Sequence, residues 1–216
     1  MKSLAKKLFV CLLFFSLTIP TLSAQAAQKA KKTDATFTKS QCDFTMKQRK
    51  LWMEHVSWTR SYITSAIANL NDQKDVLDRL LRNQDEIGDS IKPYYGEMAG
   101  EKLAALLREH IELAGKVLDA AKANNKTELD KYNKLWYQNA DDIAKFLSDA
   151  NPNLPLKEVK SMLYKHLQLL TDQVVARLKG DWKADIKAYD EGEEHMLHFA
   201  DMLANAIIKQ FPEKFK

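Results

Sequence analysis

Three histidines stand out by their surroundings: His55 in "LWMEHVSWTR", His110 in "LLREHIEL" and His166 in "MLYKHLQL". Leu51, His55, Trp58, Tyr62 and Ala66 recur at steps of three and four, beside the stripe Trp52, Val56, Ile63, Ile67. His110 falls in the series Leu103, Leu106, Leu107, Leu113, Ala114, Val117, and His166 in the series Val159, Met162, Leu163, Leu169, Leu170, Val174. Residues at these spacings share one face of a helix, so three helices each turn an imidazole inward. A buried imidazole must satisfy both ring nitrogens. It can do so by hydrogen bonding, as a structural core residue, or by sharing a metal ion, since neutral imidazole ligates zinc, iron and copper. The sequence leaves both routes open, and three histidines on three helices make the second worth testing.

Further ligand candidates lie on two other helices. Asn139 and Asp142 flank the face carrying Leu135, Ile143 and Phe146, and His195 aligns with Phe199 and Met202. His198 belongs to a neighbouring face with Glu194, Asp201 and Asn205, and His195-x-x-His198 has the spacing to clamp an ion across one turn. Di-iron carboxylate bundles place a glutamate three residues before each histidine. Here that position holds Trp52, Leu107, Leu163, Gly192 or His195, so the pattern is absent. Glu54 and Glu109 directly precede histidines, which turns them about 100° away around the helix and toward solvent. No phosphate-binding glycine loop, nucleophile elbow, His-Glu-x-x-His or Cys-x-x-Cys occurs, and no general base can be assigned. The chemistry read from the residues stops at binding, with no catalytic residue.

The elements that must position these side chains begin after a leader. Lys2, Lys6 and Lys7 precede an apolar run, Leu8 to Ile19, and then Ala24-Gln25-Ala26. This is the pattern of a secretory signal over 1–26, predicting export to the periplasm or beyond. The formal charge is +4, and loss of those three lysines leaves +1, too little for nucleic-acid binding. Cys11 would leave with the leader. Cys42 would then be alone, incidental or able to link two chains, so a monomer or a dimer is expected. Residues 27–42 read as a flexible basic segment and 43–216 as one helical domain.

Six helices are predicted: about 43–70, opened by a capping box at Ser40, then 73–91, 97–123, 127–149, 156–179 and a last one to about 210. Pro93-Tyr94-Tyr95-Gly96 reads as a break, with the two tyrosines as a staple or the lip of a mouth. Short connections favour an all-α, up-and-down bundle. The surroundings of His110 and His166 echo each other at a distance of 56 residues, an offset that also matches Ala144 to Ala200 and Leu147 to Leu203. A repeated helical hairpin is therefore expected, and "LWMEH" shares its beginning.

The stretches "LWMEHVSWTR", "PYYGE", "LLREHI", "LWYQNADDIAKFL", "MLYKHL", "RLKGDW" and "IIKQFP" resemble an uncharacterised family of bacterial helical-bundle proteins, loosely ferritin-like in architecture. The resemblance spans Leu51 to Phe215. It implies histidines at positions 55, 110, 166 and 198 and not at 195, which favours His198 as the fourth candidate. It implies a fold and no reaction. The resulting expectation is an exported bundle that binds a small ligand, a zinc, iron or copper ion, through His55, His110, His166 and His198, with His195, Asn139 and Asp142 as alternates. The rival expectation is a secreted factor that docks a host protein or anionic membrane headgroups through its basic leader and Lys157, Lys160 and Lys165.

Overall fold

The computed structural model describes residues 37–216. The leader, its cleavage pattern and most of the basic segment lie outside the described residues. Six long helices account for nearly all of the rest: α1 (Lys39–Ala68), α2 (Gln73–Tyr95), α3 (Glu97–Lys122), α4 (Lys126–Ala150), α5 (Leu156–Leu178) and α6 (Trp182–Gln210). A 3-10 turn, Pro212–Phe215, follows. Each helix packs on the next in sequence, and α6 closes onto α1, giving a ring of antiparallel neighbours. No described helix is long and apolar enough to cross a membrane.

Local chemistry explains the ends. The capping box that starts α1 belongs to Thr38, not Ser40: its hydroxyl accepts from the Gln41 amide, and the Gln41 side chain accepts from the Thr38 amide. Asn69 ends α1 in the left-handed conformation, and Asn125 and Asp181 cap α4 and α6. Pro93 does not break α2. The helix runs through it to Tyr95, and the turn is made at Gly96, whose φ of 86° suits a residue without a Cβ. Tyr94 stacks on Phe215 at 5.2 Å, and the Tyr95 hydroxyl bonds Gln210 and Asn151, so the tyrosines staple one end of the bundle.

The interior divides into two apolar clusters. The larger contains Trp52, Ile87, Leu107, Ile143, Leu163 and Phe199; the smaller contains Tyr62, Ile63, Leu80, Ile111 and Leu118. The three histidines of α1, α3 and α5 are each buried, among residues of the larger cluster such as Val56, Leu107 and Leu163. Two further contacts join neighbouring helices. Gly88 and Gly100 bring α2 against α3 so closely that a Cβ on Gly88 would stand 2.5 Å from the Gly100 carbonyl. Buried Asp185 on α6 takes both terminal nitrogens of Arg60 on α1, at 2.8 and 3.1 Å, and Arg177 on α5 at 2.7 Å.

Candidate functional site

The three predicted histidines do meet. The His55 and His166 rings lie 5.6 Å apart centre to centre, and His110 stacks on His166 at 6.1 Å. Trp52 closes one side of His55 at 5.7 Å and is itself held edge-on by Phe199. Trp58, one turn on, lies under the Arg79 guanidinium.

One device recurs in each hairpin. Asn83 donates to the Leu51 carbonyl, Asn139 to the Leu106 carbonyl and His195 to the Met162 carbonyl. Leu51, Leu106 and Met162 each stand four residues before an inward histidine. In each case a polar side chain on the second helix of a hairpin grips the first helix one turn below its imidazole. Gln84, Asn139 and His195 moreover follow His55, His110 and His166 by the same interval of 29 residues. The bundle is thus three related hairpins, α1–α2, α3–α4 and α5–α6, whose histidines face a common centre. The α1–α2 hairpin shares this spacing and this kind of hydrogen bond with α3–α4 and α5–α6.

The three copies differ in how they satisfy the imidazole. Asn139 spends its amide nitrogen on the Leu106 carbonyl and on Glu109, leaving its oxygen to accept from His110 Nδ1–H at 2.8 Å. Trp136 donates its indole N–H to His110 Nε2 at 3.2 Å. Both nitrogens of His110 are therefore engaged and its tautomer is fixed. His110 is a structural histidine in this arrangement, not a free ligand.

In the third hairpin the residue matching Trp136, 56 positions on, is Gly192. Without an indole there, His166 Nε2 has no hydrogen-bond partner among the described residues. Beside it lies a void of about 20 Å³ bounded by His166, Thr59, Gln173, Leu169 and Gly192. Thr59 Oγ1 and Gln173 Nε2, both buried, likewise have no described partner, and neither does His55 Nδ1. The Gln84 side chain lies beside His55 and favours its charged form, although its Oε1 closes no hydrogen bond of good geometry. Unsatisfied polar atoms cost about 1–3 kcal/mol each, so the three on residues that line this void, with His55 packed against His166, mark a place for an occupant.

Electrostatically the layer is neutral. Burial pushes His55 down to about 4, helped by His110, and pushes His110 down to about 4 against the opposing effect of Asn139. Burial, then the neighbouring imidazoles of His55, His110 and His195, hold His166 well below its ordinary value. Each ring therefore keeps a lone pair at neutral pH, the state that ligates metals.

The other candidates lie elsewhere. His198 is exposed on α6, because it sits on the face opposite Met196 and Ala200. His195 donates to the Met162 carbonyl, so the two do not clamp an ion. Asn139 orients His110, and Asp142 is exposed and accepts from Gln138. Glu109, expected to face solvent, is exposed yet reaches Asn139 and so backs His110. Among the described residues no three His, Cys, Asp or Glu side chains are arranged to hold a metal ion together. Sequence reasoning missed Thr59, Gln173 and Gly192. The readable signal was the 56-residue echo, which carries Trp136 onto glycine. No protein-family model, curated protein or solved structure matches the chain.

Proposed function

We propose that the protein binds a single small ligand, a transition-metal ion, in the interior between α1, α5 and α6. His166 Nε2 and His55 Nδ1 would be its nitrogen donors, with Thr59 Oγ1 beside them. The observation that carries this reading is the unpartnered His166 Nε2 beside a void where the sister hairpin places an indole. A cavity needs about 10–15 Å³ to take a water, so 20 Å³ suits an atom-sized occupant and excludes an organic ligand. The donor set is neutral, with no carboxylate or thiolate, and a charge in such a setting is costly. That favours a monovalent ion, cuprous copper, over zinc or ferrous iron, while imidazole suits all three metals.

The test is the metal content of untagged protein after reconstitution with copper under reducing conditions, and separately with zinc and iron. About one copper per chain is expected, retained in His110→Gln and lost in His166→Phe and His55→Phe. A folded protein that retains no metal, or retains it equally in His166→Phe, would overturn the reading.

A further inference from the structure

At the other side of Thr59 the bundle holds a second, larger space that the histidines do not line. It is a cavity of about 120 Å³ walled almost wholly by carbon: Tyr62, Ile63, Ile111, Leu118 and Val174 among others. It is comparable to an engineered 150 Å³ apolar cavity that stays dry and takes up benzene. The cavity is not sealed. Ala121, Leu129 and Val175 line it and also line an open groove of about 600 Å³ on the surface, where α3 ends and α4 begins. Val175 and Leu178 are exposed there, an apolar lip that a core would ordinarily bury.

The groove is rimmed by Lys122, Lys126 and Lys179. Lys122 donates to the Ala66 carbonyl and Asn69, neutral acceptors. Among the described residues the lysine ion pairs fall elsewhere, on Lys39, Lys50, Lys74, Lys92, Lys131, Lys145, Lys160 and Lys187. Three ammonium groups without carboxylates therefore surround the mouth of an apolar cavity. Lys126 also opens α4, whose first amides add positive potential. An apolar interior of about six carbons behind a cationic rim is complementary to one ligand class.

We infer that this cavity and its rim bind a small anionic amphiphile, a medium-chain or single-ring carboxylate, with its tail among Ile111, Leu118 and Val174 and its carboxylate at Lys126 and Lys179. The site is separate from the histidine layer, so either assignment can fail alone. Calorimetric titration of the full chain with octanoate, 1-octanol and acetate tests it. Octanoate is expected to bind saturably, at one per chain, and at least tenfold more tightly than octanol or acetate. Ala114→Leu, which fills the cavity, should weaken octanoate at least tenfold. Ala121→Leu narrows the neck and serves the same purpose if the first variant does not fold. Lys126→Glu with Lys179→Glu should weaken octanoate at least fivefold and flatten its salt dependence. No saturable octanoate binding, binding unchanged by the filled cavity, or octanol bound as tightly as octanoate would overturn the inference.

Discussion

At the scale of single residues, what separates the three histidines is their partners rather than their burial. His110 has two, and the others have at least one nitrogen free among the described residues. Trp136→Phe should keep the packing but strand His110 Nε2, costing about 1–3 kcal/mol in urea denaturation. The neutral layer also makes stability depend on pH. An unfolded histidine takes up a proton near pH 6.5, whereas folded His55 and His110 stay neutral down to about 4. Stability is therefore fully present above pH 6.5 and is lost as pH falls toward 4, by on the order of 3 kcal/mol for each of these two. Urea midpoints between pH 7 and 4.5 should drop, and His55→Phe should drop less steeply, by about one proton. A flat midpoint from pH 7 to 5 would contradict the neutral layer.

At the scale of helices, two close contacts fix how neighbours sit. Gly88→Ala forces a Cβ into the Gly100 carbonyl and should destabilise by about 1–3 kcal/mol. Gly192→Ala is the internal control, because its Cβ would meet only Leu169 Cβ at 4.0 Å; helix propensity then favours alanine by about 1 kcal/mol. Asp185→Asn leaves Arg60 and Arg177 facing each other across α1 and α5 without a counter-charge, and should cost on the order of 3 kcal/mol by thermal or urea unfolding. The helices themselves were legible because their apolar period is sustained and their ends carry Asn, Gly and Pro. What stayed hidden was packing. Nothing local separates Gly88 at a tight crossing from a solvent-facing glycine, and α2 runs through Pro93 because the turn waits for Gly96. Nothing in the sequence around Asp185 marks it as buried; α1 and α5 bring it two arginines.

At the scale of the whole molecule, three hairpins place similar side chains around a shared centre, and the proposed site lies where they differ. The inward histidines could be read from spacing, since each lies on a sustained apolar stripe. Their meeting could not, because it depends on how the ring of helices closes. Nor could the division of labour, which turns on Trp136 in one copy and Gly192 in another. His198 attracted attention by resemblance, but it stands on an outer face. The most direct test of the central claim is an anomalous-difference map from crystals of copper-reconstituted protein. One peak is predicted in the void beside Gly192, about 2 Å from His166 Nε2 and within reach of His55. A map with no peak there, or with copper only at exposed His198, would contradict it.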